Sequence, residues 1–215
     1  MKLNFVALAT VMLALTTPFA KASTNVALGA AVTTSGTGFG LSAGWGPGTL
    51  AAPSSLTDGV FLPVGTQWDL GTTYWQGPVP DPGDVINITL SLASTVSSLH
   101  LEADNNDAYS VSYRDLGGTW HSLATIDPNT DSSWGLGDGY ASFSPVSAAA
   151  FEITATGGDG SFAVAEFQAN GTAISPVPEP TSCLLLLSGL VALGSFARRR
   201  GTVAAQIGSD EREVA

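Results

Sequence analysis

Residues 85–92, Val-Ile-Asn-Ile-Thr-Leu-Ser-Leu, alternate in polarity. Ile86, Ile88, Leu90 and Leu92 take one face, and Asn87, Thr89 and Ser91 the other. Successive side chains point to opposite sides of a strand, so this pattern describes a strand with one face in a core. The pattern recurs. Leu99 and Leu101 alternate with His100 and Glu102, and Tyr109, Val111 and Tyr113 with Ser110 and Ser112. Phe151, Ile153 and Ala155 alternate with Glu152, Thr154 and Thr156. Turn residues bound each run: Asp104-Asn-Asn-Asp107, Asp115-Leu-Gly-Gly118, Asp127-Pro-Asn129 and Gly157-Gly-Asp-Gly160. No stretch here keeps a helical period. The chain is therefore expected to be all-β, an antiparallel β-sandwich or jelly roll. Asp115–Gly118 reads as a tight hairpin. Phe39 to Gly83 is rich in Gly and Pro and reads as long loops with a few short strands, the kind of segment that carries binding on a rigid sandwich.

The ends of the chain are built differently. Lys2, an apolar run from Phe5 to Leu15, and Ala20-Lys21-Ala22 make a secretory signal peptide, with cleavage expected after Ala22 on the small residues Ala20 and Ala22. Residues 1–22 are thus set aside, and 23–172 form the folding domain. Residues 23–175 hold fourteen acidic side chains and one basic one, Arg114, a formal charge of −13. Such a field repels phosphate backbones and argues against nucleic acid, while it suits divalent cations. The one cysteine, Cys183, lies outside this region, so no internal disulfide supports the fold and the core must suffice.

The order of the motifs resembles the discoidin-type domains, galactose-binding-like jelly rolls. Asn25–Ser35 looks like their opening strand, and Leu56-Thr-Asp-Gly59 like their Asp-Gly loop. Tyr109–Trp120 looks like their Tyr-rich hairpin, and Phe162–Gln168 like their closing strand. The resemblance spans about Asn25 to Gly171. It implies a sandwich that binds sugars or other surface ligands through its loops.

A second resemblance is sharper. Val177-Pro-Glu-Pro180, an apolar run, and then Arg198-Arg199-Arg200 look like the PEP-CTERM sorting signal of Gram-negative bacteria. This signal is processed by an exosortase in species that make exopolysaccharide. Residues 173–180 form a Pro-rich linker in which Pro178 and Pro180 keep the chain extended around Glu179. Residues 181–197 are long enough for a short membrane-crossing helix, held in the inner membrane before processing, and the arginines stop it on the cytoplasmic side. Residues 198–215 include a polar tail, Gly201–Ala215, longer than such signals usually carry. It is expected to stay cytoplasmic and is given no function.

The discoidin resemblance also implies a structural Ca2+ that pins the Asp-Gly loop. Its ligands carry over to Asp58 and Glu166, with loop carbonyls completing the shell. Strict alternation places Glu166 on the face of Phe162 and Val164, where a buried carboxylate needs a partner or metal. A β-bulge turning Glu166 outward and Phe167 inward is the alternative. The loop is longer than the family's, with Val60–Gly65 between Asp58 and Thr66.

Asp104–Asp107, with Asn105, has the composition of a cation or sugar-hydroxyl site and equally of a plain turn. Trp45, Trp75 and Trp134 lie in Gly-rich contexts and are candidates for stacking on a sugar ring. Trp68 and Trp120 read as core. Neither His100 nor His121 shows a recognisable Ser or Asp partner in sequence. No nucleophile elbow, phosphate loop or dinucleotide fingerprint is present. The expected function is therefore that of an exported, exosortase-sorted binding module for carbohydrate, with exopolysaccharide the expected ligand. A structural matrix protein without a small ligand is the alternative, and an enzyme is not expected.

Overall fold

Among the described residues the domain has eight strands: β1 (Thr24–Asn25), β2 (Ala31–Ser35), β3 (Thr73–Gln76), β4 (Asp81–Asp104), β5 (Ala108–Arg114), β6 (Trp120–Ile126), β7 (Leu136–Gly157) and β8 (Ser161–Ala173). A short 3-10 turn, Pro53–Thr57, lies between β2 and β3. The computed structural model describes residues 23–40, 48–129 and 134–174. The chain divides into two compact units, Met1–Ile174 and Ser175–Ala215. The second unit, the signal segment with Ala20 and Ala22, and Trp45 lie outside the described residues. The expectations for residues 181–197 and for Arg198, Arg199 and Arg200 lie there too. Among the described residues, no helix is long and apolar enough to cross a membrane.

All the ladders are antiparallel, and β4 and β7 are long because each serves two layers. The first part of β4 pairs with β2 (Ile88 opposite Val32) and with the end of β7 (Ile88 opposite Phe151). That end of β7 continues to β5, and β5 to β6. The second part of β4 pairs with the start of β7 (Leu101 opposite Gly139) and with β8 (Leu101 opposite Phe167). On its other edge β8 carries β3 and β1. The apolar faces of the two layers close on one core. It contains Ile86, Ile88, Leu99, Leu101, Tyr109, Val111, Phe151, Ile153, Phe162 and Phe167. Burying side chains of this size yields roughly 1.5–3 kcal/mol each.

The alternation is interrupted where β4 passes from one layer to the other. Ile86, Ile88 and Leu90 point inward as expected, but Leu92 is exposed and Ser94 is buried. The register shifts between Thr89 and Ser94, and again between Val96 and Ser98. The second shift reverses the parity, so Leu99 and Leu101 face the core after Val96 does. An unpaired residue turns the next side chains to the opposite face. The stretch that resembles one opening strand is in fact two. β1 joins the β8 layer and β2 the β4–β7 layer, with a turn between them at Gly29, whose φ of 69° suits glycine.

Since β4 runs out along one layer and back along the other, its two ends meet at one end of the sandwich. There Asp81 lies opposite Ala155, and Asp104 opposite Leu136. The β4–β5 and β7–β8 turns close the same end, with Ala108 opposite Gly157. The Asp115–Gly118 hairpin lies at the opposite end of β5, with Asp115 accepting from the Gly117 and Thr119 amides.

Candidate functional site

The expected aromatic candidates separate cleanly. Trp75 is fully buried. It sits in β3 opposite Phe162 and packs between Phe39, Phe162 and Tyr109 at centroid distances of 5.2, 5.4 and 6.0 Å. Its face is thus occupied by the core, and the expectation that it stacks on a ligand is corrected. Trp120 is corrected in the other direction: it begins β6 at the hairpin, exposed, with the Arg114 guanidinium 5.8 Å from its ring. Trp134 is 53% exposed and meets Trp68 edge-on at 5.5 Å. Asn105 sits in the β4–β5 turn, its amide donating to the Gly135 carbonyl.

A more organised aromatic group stands on the outer face of the β8 layer. His100 on β4 is flanked in register by Tyr140 on β7 and Gln168 on β8. The His100 ring stacks on Tyr140 at 4.3 Å and 20°, and on Phe61 at 4.5 Å and 19°. Tyr140 is 62% exposed and Phe61 37%. Asp138 lies two residues before Tyr140, on the same face, and its Oδ1 is 2.5 Å from His100 Nε2. His100 therefore does have an aspartate partner, across the ladder. So does His121, whose Nε2 lies 2.8 Å from Asp115 Oδ2. Tyr140 and Phe61 went unmarked in the sequence because residues 61, 100 and 140 come together only through pairing. The one local signal was the i, i+2 spacing of Asp138 and Tyr140.

Beside this group, Glu102 and Glu166 face each other across the β4–β8 ladder. The register shifts between Glu102 and Ala103, leaving Ala165 as the extra residue of a bulge. Phe162, Val164 and Phe167 thus all reach the core, and Glu166 turns to the outer face. Both glutamates are nevertheless buried, because the loop after Asp58 covers them. The Leu62 amide donates to Glu102 Oε2 at 3.0 Å. Burial pushes each carboxyl up to about 7; for Glu166 the charges of Asp58 and Glu102 add to that rise. Glu166 Oε2 has no hydrogen-bond partner among the described residues.

These residues fit the implied Ca2+ in kind: hard oxygen donors with one orphaned buried atom. Asp58 stands close enough to act on Glu166, although its Oδ1 accepts from the Val60 amide at 2.8 Å. Among the described residues no three acidic or imidazole side chains converge into a ready cage. A cation here would draw the rest of its shell from loop carbonyls and water.

The end of the sandwich is also acidic. Asp104 and Asp107 flank the β4–β5 turn, confirming that stretch as a turn. Both are buried, and burial pushes them up to about 7 and about 8, with neighbouring aspartates adding to the rise. The Tyr109 hydroxyl lies 3.1 Å from Asp107 Oδ2 and 2.9 Å from the Ala163 carbonyl, with one proton to serve both, which ties the turn to β8. Asp159, on the β7–β8 turn, accepts from the Asn106 side-chain amide at 3.1 Å. Burial and the adjacent Asp84 raise Asp81 as well.

Residues 176–200 match the PEP-CTERM protein-sorting motif. No curated protein matches the chain. Among solved structures, the chain is similar to chitosan-binding module 1 from a chitosanase/glucanase of Paenibacillus sp. IK-5. The identity is 22%, over 69% of this chain and 99% of that one, with a TM-score of 0.44. It is also similar to the lectin domain of lectinolysin, solved with Lewis B antigen, at 14% identity over 70% and 98% and a TM-score of 0.48. A third similar structure, SpGH29, shares 18% identity over 69% of this chain at a TM-score of 0.45; this chain spans 28% of it. The motif at residues 176–200 marks an exported protein whose C-terminal tail is processed by an exosortase.

Proposed function

We propose that this exported protein binds carbohydrate at the cell surface or in the extracellular matrix, through the Phe61–His100–Tyr140 face of its sandwich. The observation that carries the reading is the exposed ring of Tyr140, stacked on His100, which is itself stacked on Phe61, with the Asp138 carboxylate on the same face. A sugar ring offers apolar C–H faces and a rim of hydroxyls. A fixed aromatic face with a carboxylate beside it meets both. Stacking fixes Tyr140 before a ligand arrives, which lowers the ordering cost of binding. The net negative charge of the domain favours a neutral glycan over an acidic one. Exopolysaccharide of the producing cell is the ligand class assigned. The role is binding rather than catalysis.

The same proposal takes the start of the chain as a signal peptide cut after Ala22. It takes residues 181–197 as a transient anchor in the inner membrane of a Gram-negative cell, before the exosortase acts. It also assigns a structural Ca2+ to Glu166, Glu102 and the Asp58 loop, where the ion would neutralise the paired carboxylates. A glycan array probed with the full-length chain tests the ligand. Binding to neutral polysaccharides that is weakened in Tyr140→Ala supports the assignment. An array without binders, or binding untouched by that substitution, removes this face from consideration and favours a structural matrix role.

A further inference from the structure

Asp81 and Asp84 open β4 and line a cleft of about 420 Å3 together with Gly36, Thr37, Pro78 and Pro82. The two aspartates are 2% and 5% exposed. Asp81 Oδ1 accepts from the Gly83 and Asp84 amides at 3.2 and 3.3 Å, a local turn. Its other oxygen, Oδ2, is buried and has no hydrogen-bond partner among the described residues. Asp84 Oδ1 accepts from the Gly38 amide at 2.9 Å, which ties β4 to the segment after β2.

Glycines make room for this pair. A Cβ at Gly77 would lie 1.9 Å from Asp81 Oδ2, and one at Gly38 would lie 2.5 Å from Asp84 Oδ2. The one arginine among the described residues, Arg114, belongs to the far end of β5, and no lysine lies between residues 22 and 215. Two adjacent carboxyls are therefore held out of water with no cationic side chain among the described residues to balance them, and burial of unpaired charge is costly.

We propose that Asp81 and Asp84 form a hard-cation site that takes Ca2+, separate from the Glu102–Glu166 pair. The donors are carboxylate oxygens, with no thiol or imidazole lining the cleft, and this chemistry selects calcium-like ions over zinc or copper. The Gln76 carbonyl lies against Gly38 beside the pair, since a Cβ at Gly38 would come within 2.1 Å of it. It is the neutral oxygen nearest the pair that these contacts show, and water completes the shell. With two carboxylates the affinity falls in the weak range of extracellular modules, on the order of 10⁻⁴–10⁻³ M. A bound ion would join the ends of β2, β3 and β4 at one corner. The site does not depend on the carbohydrate reading.

The test is calorimetric titration of the full-length chain with calcium at neutral pH. The variants Asp81→Asn/Asp84→Asn and Glu102→Gln/Glu166→Gln are titrated in parallel. The expected result is that the aspartate variant loses one bound calcium while the glutamate variant keeps it. Unchanged stoichiometry in the aspartate variant, or no calcium bound by the wild type, overturns the proposal and leaves a carboxyl pair that shares a proton. Asparagine retains an oxygen for the Gly38 and Gly83 amides, so folding is expected to survive. Should the double variant not fold, the single variants carry the test. Each should weaken calcium at that site by at least about tenfold, the smallest loss typical of altering a metal site's supporting partners. An unaltered affinity in both overturns the proposal.

Discussion

Glu102 and Glu166 stand opposite each other on neighbouring strands, both sealed from water by the loop that follows Asp58. Like charges directly opposed across a ladder destabilise it, so this pair needs protons or a cation. Calcium should therefore raise the melting temperature of the protein, and a chelator should lower it, because a ligand bound only by the folded state stabilises that state. Part of the shift should vanish in Glu102→Gln/Glu166→Gln. A melting curve indifferent to calcium and chelator would leave the pair protonated.

Sugar binding should depend on the aromatic face and not on the buried tryptophan. Tyr140→Ala is expected to weaken glycan binding roughly 3- to 10-fold with little change in stability, the scale of a single aromatic contact. His100→Ala should follow it, because it removes the ring that holds Tyr140 and Phe61 in place. Affinity electrophoresis in a gel containing the bound polysaccharide reads this directly, and equal migration of variant and wild type would contradict it.

Trp75→Ala belongs to a different class. Its ring fills the core among Phe39, Tyr109 and Phe162, and its loss should cost about 3–5 kcal/mol. Trp134→Ala, at an exposed site, should cost far less. Urea denaturation of both variants separates them, and a mild loss for Trp75→Ala would contradict the packing described.

Acidity should stabilise this protein in the absence of divalent cations. Burial raises Asp104 to about 7 and Asp107 to about 8, whereas an unfolded aspartate titrates near ~3.9. Between those values the folded state holds more protons than the unfolded one. The contribution is complete below about pH 4 and is lost as the pH rises through about 7–8. With chelator present, the melting temperature should fall from about pH 5 to about pH 8.5, and Asp107→Asn should flatten that slope. A melting temperature that climbs over the same interval would contradict the sign.

Replacement of Glu179 within the sorting motif should leave an uncleaved precursor in membrane fractions. Immunoblotting of fractionated cells checks this, and normal processing would contradict recognition through Pro178-Glu179-Pro180.

The strands were legible because half-buried sheets write alternation into the chain, and Val85–Leu90 and Phe151–Ala155 did so plainly. Leu92 and Glu166 were harder, since each lies beside a register irregularity that alternation alone does not locate. For Glu166 both alternatives held part of the answer. The bulge turns it outward, as one supposed, and a distant loop buries it, as the other required. Trp75 looked like a loop residue because β3 is four residues long and has Gly71 and Gly77 close by. The aromatic face was illegible for a different reason: it is assembled from three segments whose adjacency exists only after β4 has paired with β7 and the loop has folded over both.

The path by which the chain leaves the domain has a mechanical consequence. It leaves along β8, which is held by β4 on one side and by β3 and β1 on the other. Tension drawn along the C-terminal direction loads these ladders lengthwise, so many rungs share the force at once instead of parting singly as at a peeled edge. A protein tethered through that terminus and holding a polymer on its outer face would thus bear strain through a strand paired along both of its edges.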